Sequence, residues 1–245
     1  MYVARIQREK LSNQVYTAMK EMIADYRFQP GARLVIEQIS KELQVSRTPV
    51  WEAVGRLEQE GLVVTVNRAV FMVALTAQET LNLYAVRQVL EGMAARLAAT
   101  RMDEQSLRKM ADCLELQKDA VRTKDVLAYS KLDFLFHASV YDSCGNPFLK
   151  ELLETIKNKM RPLSIHMELD FTLLIEHHSE LLRALRERDS EKAEYALQIH
   201  NEYMMAQIRQ GSGKWPPEAS RDVEGTGSQS GRQVVPHPVF QEGEK

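Results

Sequence analysis

Residues 45–62, VSRTPVWEAVGRLEQEGL, decide how the N-terminal part of this 245-residue chain is read. Ser46 stands where a helix N-cap is wanted, and Pro49 is tolerated because it falls in the first turn. Val50, Ala53, Val54 and Leu57 recur at helical spacing, and Gly61 supplies a C-terminal stop. Ser46, Arg47, Thr48 and Trp51 are left facing outward at the helix start. When a helix lies in a major groove, that end meets base edges and phosphates. A short amphipathic helix beginning Ser-Arg is not specific by itself, so its flanks decide the matter.

Upstream, Leu11, Val15, Met19, Met22 and Ile23 share one helical face, Pro30-Gly31 forms a turn, and Ile36, Ile39 and Leu43 mark a short second helix. Downstream, 62–66 and 70–75 read as two strands joined at Asn67-Arg68, a hairpin that would form a wing. Helix, turn, helix, turn, helix, hairpin in that order predicts a winged helix-turn-helix DNA-binding domain over residues 1–75.

These residues also carry a resemblance. PGxxL at Pro30, Gly31 and Leu34, followed by VSRTPVxEAxxxLExEGLV from Val45 to Val63, resembles the DNA-binding domain of the GntR family of bacterial regulators over nearly all of residues 10–75. The resemblance implies that Ser46, Arg47 and Thr48 begin the DNA-contacting helix and that Asn67 and Arg68 form the wing tip. Two positions depart from the family pattern. Trp51 replaces an arginine that usually contacts DNA, and Ala69 replaces a glycine usual in the wing.

The composition, 44% hydrophobic and 27% charged, is that of an ordinary soluble protein. No apolar run approaches the roughly 18 residues of a membrane span, and MYVARIQREK lacks an apolar signal core, so a cytoplasmic protein is expected. Cys113 and Cys144 have no ligand or redox spacing and are expected to be structural thiols. The net charge of -2 does not advertise nucleic-acid binding, and residues 1–75 hold ten Lys/Arg against eight Asp/Glu. Affinity for operator DNA must then come from a local basic face, with Arg47, Arg56 and Arg68 as candidates, and from two copies acting as a homodimer.

Thr76-Ala-Gln-Glu79 has capping-box spacing and marks a domain boundary. Residues 76–210 have few breakers and predict helices over 77–100, 103–123, 125–143, 146–165, 170–187 and 190–209, with Asp103, Asp125, Asn146, Asp170 and Ser190 as caps. The expected fold is therefore mainly α, a winged helix-turn-helix followed by an antiparallel all-helical bundle. Residues 211–245 are rich in Gly, Ser, Pro, Glu and Gln and predict a disordered tail, with Trp215 and Phe240 as possible docking side chains. His166 and His237 are expected on the surface or in that tail.

Some polar residues break the apolar stripes of the bundle. His178 is surrounded at helical spacing by Leu174, Ile175, Leu181 and Leu182, and His200 by Ala196, Leu197, Tyr203 and Met204. Asp133 and His137 are four apart, hence on one helical face. Any one of these histidines could be a satisfied core residue. Together, each would need its own hydrogen-bond partner in an apolar interior, whereas one divalent metal serves all four. Three imidazoles and a carboxylate suit zinc, nickel, manganese or iron. His177 has Glu180 among its flanks and a poorer inward aim.

This second segment resembles the helical effector domain, FCD, of the FadR branch of the GntR family over residues 76–208. The resemblance rests on Arg87 and Glu91 of RxxLE, Asp133, Phe136 and His137 of DxxFH, Gly145-Asn146, His178 before LLxAL, and His200. It implies a metal on Asp133, His137, His178 and His200 that helps hold a small carboxylate effector, and a repressor that the effector releases. Arg87 is then either the ion-pair partner of Glu91 or a contact for the effector carboxylate. The rival function is a metal-dependent enzyme acting on a small carboxylate. Four protein ligands, the absence of a placed His, Glu or Asp base, and a fused DNA-binding domain all weigh against it.

Overall fold

The computed structural model describes residues 2–167 and 169–211, with side chains from residue 11 onward except that of residue 166. The expectations for the His166 side chain, for His237, Trp215 and Phe240, and for the tail beyond residue 211 lie outside what is described. The chain divides into two compact units, one of residues 1–75 with 158–163, the other of 76–157 with the residues from 164 onward.

In the first unit, α1 (Tyr2–Ala24), α2 (Ile36–Glu42) and α3 (Arg47–Gln59) pack with a three-stranded antiparallel sheet of order β1-β3-β2. Val50, Ala53, Val54 and Leu57 of α3 are buried against Val15, Met19 and Ile23 of α1 and against Leu34, Val63, Val70 and Met72 of the sheet. Among the described side chains the buried stripe of α1 holds Ser12, Val15, Met19, Met22 and Ile23, whereas Leu11, expected on that face, is exposed. Gly61, at φ 68, ends α3 by donating to Glu58 O while Leu62 N reaches Leu57 O, a left-handed stop that favours glycine.

The wing strands are β2 (Val63–Val66) and β3 (Ala69–Met72), so β3 starts one residue before the expected strand and ends earlier. Val66 pairs with Ala69 across a two-residue turn in which both Asn67 (φ 49) and Arg68 (φ 63) are left-handed. That is the type I′ geometry whose twist matches a hairpin. Strand β1 (Arg33–Leu34) is an addition to the expected pattern, pairing Arg33 with Phe71 and Leu34 with Val70. Two residues are too few to show an alternating pattern, which is why periodicity does not reveal it.

From residue 76 onward the chain forms α4 (Ala77–Arg101), α5 (Glu104–Arg122), α6 (Val126–Ser143), α7 (Pro147–Met160), a 3-10 turn (Arg161–His166), α8 (Phe171–Arg186) and α9 (Ser190–Gly211), all of the second unit except residues 158–163 at the end of α7 and the start of the 3-10 turn. Ala94, Ala95 and Ala98 keep one face of α4 small, and a Cβ on Gly92 would lie only 3.3 Å from Glu194 of α9, so α4 and α9 run close together. Around them Met110 and Leu114, Phe136 and Val140, Leu153, and Leu181 and Leu185 fill the core from the other helices. No described helix is long and apolar enough to cross a membrane.

The caps follow local chemistry. Asp103, Asp125, Asn146 and Asp170 each accept a backbone N–H of the following turn. For α9 the cap is Asp189, which accepts from Lys192 N, rather than Ser190, which is the first helical residue. Thr76 and Glu79 form a complete capping box at α4, whereas Ser46 occupies the N-cap position of α3 without a side-chain bond. Thr76→Ala should therefore destabilise the protein by about 0.5–2 kcal/mol in chemical denaturation, while Ser46→Ala should fall near the low end of that range or below it. Equal losses would show that Ser46 does cap α3.

Candidate functional site

Helix α6 sets Tyr129, Asp133 and His137 one turn apart on a single face. Helices α8 and α9 bring His178 and His200 to the same point, because leucines at helical spacing hold those faces inward. One donor atom from each of Asp133, His137, His178 and His200 lies within 4.8 Å of all the others. The Nε2 atoms of His137 and His178 are each 3.6 Å from Asp133 Oδ1, too far for a hydrogen bond. Two ligands about 2.1 Å from one ion are separated by at most roughly 4.2 Å, so small side-chain movements close the set around a cation.

The second ring nitrogens of His137 and His178 are already committed. His137 Nδ1 is 2.8 Å from Glu91 Oε1, and because a carboxylate only accepts, the proton sits on Nδ1. His178 Nδ1 is 2.8 Å from Gln117 Oε1 and donates to it. This leaves His137 Nε2, His178 Nε2 and His200 Nδ1 buried with no hydrogen-bond partner. Burial lowers the pKa of all three imidazoles, that of His178 to about 3, so the rings are neutral and present lone pairs. Burial pushes the Asp133 carboxyl up, but Lys157 and the three surrounding histidines together more than reverse this and hold it below the usual carboxylate range. These donors fit a divalent cation.

Lys157 and Glu91 are the charged supports. Lys157 Nζ donates to the Asp133 carbonyl at 3.0 Å and lies 3.4 Å from Asp133 Oδ2; burial brings its pKa down to about 7 against the pull of that carboxylate. Glu91 is fully buried and accepts from Arg87 Nη2 at 3.0 Å, His137 Nδ1 at 2.8 Å, Asn201 Nδ2 at 2.7 Å and the Tyr141 hydroxyl. Burial raises the Glu91 pKa, and Arg87 and His137 outweigh that and hold it well below the usual range. Arg87 thus has the ion-pair partner anticipated for it, yet its Nε remains buried without a partner.

Gln117, Lys157 and Asn201 do not stand out in the sequence, although each breaks an apolar stripe as His178 does. Gln117 follows Met110 and Leu114, Lys157 lies between Leu153 and Met160, and Asn201 lies between Leu197 and Met204. His177 is not among the four converging donors; its ring lies 5.6 Å from that of Tyr203 and 6.0 Å from that of His200.

In the first unit Ser46, Arg47 and Thr48 are exposed at the start of α3, Trp51 keeps 41% of its surface one turn on, and Asn67 and Arg68 are exposed at the wing tip. Arg56 does not join this face. Its guanidinium stacks 3.6 Å from the Tyr16 ring and donates to Asn13, so it packs α3 on α1. Ala69 is outside the left-handed pair of the turn, so this wing needs no glycine there.

Comparison with known proteins gives a consistent picture. Residues 11–73 match the gntR family of bacterial regulatory proteins, and residues 82–203 match the FCD domain. The chain is 30% identical over 191 residues to the Nta operon transcriptional regulator of Aminobacter aminovorans, covering 76% of this chain and 89% of that protein. It is 25% identical over 214 residues to the transcriptional repressor RspR of Escherichia coli, covering 84% and 94%. Among solved structures it is similar to E. coli McbR/YncC, with TM-score 0.73, 26% identity and coverage of 82% and 97%. A GntR regulator from Rhodococcus sp. RHA1 gives TM-score 0.71, 28% identity and coverage of 81% and 97%.

The depressed histidines give a pH dependence of stability. Below the ordinary value of 6.5 the unfolded chain takes up protons that the folded chain refuses, so stability falls as pH drops from 6.5 toward about 3, the value for His178. The loss is at most about 1.4 kcal/mol per pH unit for each such histidine. Chelator-treated protein should melt at progressively lower temperature between about pH 6.5 and 5, and His178→Gln should flatten that decline. Identical slopes in the two proteins would contradict the assignment.

Proposed function

The chain belongs to the GntR family as a transcriptional regulator with an FCD domain, and on that premise we propose that its operator affinity is set by a small carboxylate bound at a metal held by Asp133, His137, His178 and His200. The observation that carries this reading is the convergence of three buried, unpartnered imidazole nitrogens on one carboxylate. Leaving them unmet in an apolar interior is costly, and a divalent ion meets them together. Zinc, nickel, manganese and iron all suit this donor set. When bound, the ion supplies a positive centre to which an acid can coordinate. Arg87, with its Nε free, adds a donor for the acid's carboxylate.

Residues 1–75 then act as the DNA-binding domain and 76–210 as the effector domain of a cytoplasmic homodimer. Ser46, Arg47, Thr48 and Trp51 face the major groove, and Asn67 and Arg68 enter beside it. Val86, Val89 and Met93 form an exposed apolar stripe on α4 that a second copy would cover. The effector shifts the placement of the two winged helices, and a coupling of roughly 1–3 kcal/mol suffices to change operator occupancy. Release of a repressor is the favoured direction, as one relative is by name a repressor. The enzyme alternative predicts turnover of the acid, which the regulator reading does not.

Three measurements test this reading. Adding a divalent metal to chelator-stripped protein should raise its melting temperature, by an amount equivalent to about 2.7 kcal/mol at a hundred times the dissociation constant, and His200→Ala should abolish the rise. A panel of small mono- and dicarboxylates should stabilise metal-loaded protein and leave stripped protein unchanged; stabilisation of both would remove the metal from the sensor. Arg47→Ala should weaken binding to the specific operator by about 1–3 kcal/mol, and unchanged affinity would take Arg47 out of the recognition set.

A further inference from the structure

A crevice of about 230 Å³ opens in the first unit between the start of α3 and the wing. At roughly 30 Å³ per water it has room for a hydrated phosphodiester group. Three arginines reach it from three separate elements: Arg33 from β1, Arg47 from the first turn of α3 and Arg68 from the wing turn. Trp51 forms part of its wall. Glu37 is the acid lining it, and its charge is already shared, 3.1 Å from Lys41 and 3.8 Å from Arg47. Arg33 and Arg68 are exposed and have no ion-pair partner among the described residues.

Unpaired cations clustered beside a DNA-reading helix form the electrostatic footprint of a nucleic-acid backbone. The indole of Trp51 cannot neutralise a phosphate, so the recognition helix is one cation short of the family pattern. Arg33 stands where it can make up that charge. Its pairing with Phe71 fixes its backbone to the same strand that carries the wing turn, so the guanidinium and Arg68 are held on one rigid piece of sheet.

We propose that Arg33 is a DNA-backbone contact of this chain, seating an operator phosphate in the crevice with Arg68 and supplying the charge absent at Trp51. The proposal rests on the DNA-binding reading above. It says nothing about base readout, because a phosphate contact positions the protein without carrying sequence information.

The test uses the full chain and a labelled mixed-sequence DNA duplex, with affinity measured by anisotropy over a range of salt concentrations. Removing one cation that neutralises a phosphate lowers the slope of log affinity against log salt by roughly 0.9. Arg33→Ala should lower the slope by about that amount per DNA-binding domain engaged, Arg33→Lys should preserve it, and Trp51→Arg in the Arg33→Ala background should restore it. The melting temperature should not change, because Arg33 is exposed and unpaired. A slope unchanged in Arg33→Ala overturns the proposal, as does an effect confined to discrimination between specific and mixed-sequence DNA. If the unaltered protein shows no salt-dependent binding to the duplex, the underlying DNA-binding reading fails instead, and the two failures are distinct.

Discussion

A single buried carboxylate organises the second unit. Glu91 has no exposed surface and is ionised in the middle of a helical core, a state that is costly unless every lone pair is met. Arg87 on its own helix, His137 and Tyr141 on α6 and Asn201 on α9 all meet it. The carboxylate therefore ties three helices together at one level of the bundle. It also decides which nitrogen of His137 carries the proton, and so which one is left for a ligand.

The same logic extends to His178 and Asp133. Gln117 on α5 orients His178, and Lys157 on α7 holds Asp133 by its carbonyl and carboxylate. Each of these side chains is thus aimed by a partner from a different helix, which fixes direction more firmly than packing alone. Because burial keeps the imidazoles neutral, a cation entering the site does not have to displace protons from them near neutral pH. Arg87 Nε, the Tyr129 hydroxyl, Gln117 Nε2 and Asn201 Oδ1 are further buried polar atoms for which the described residues provide no hydrogen-bond partner.

In the first unit the constraint is steric and local. A two-residue hairpin turn needs two left-handed residues, and Asn67 and Arg68 take those conformations, so Ala69 can serve as the first residue of the returning strand. Strand β1 then closes the sheet and carries Arg33 to the crevice beside α3. The basic face is consequently built from Arg33, Arg47 and Arg68, with Arg56 diverted into stacking on Tyr16.

Periodicity and punctuation in the sequence were enough to determine the order of the helices and the wing hairpin, though not the two-residue β1, together with the apolar stripe of α3, the capping box at Thr76 and the six helices that follow, the fourth of which gives way to a 3-10 turn at Arg161. These depend on interactions within a few residues, which spacing reports directly. The same reasoning brought out Asp133, His137, His178 and His200, because a polar residue inside an apolar stripe is conspicuous along one helix. Which nitrogen each imidazole presents, the convergence of four donor atoms, the role of Glu91 as a hub and the regrouping of arginines around Arg33 were decided only by tertiary structure. The imidazole orientations depend on partners 46 or more positions away in the chain, Glu91 for His137 and Gln117 for His178, and the arginine face depends on the pairing of Arg33 with Phe71; no local pattern records which distant element supplies the match.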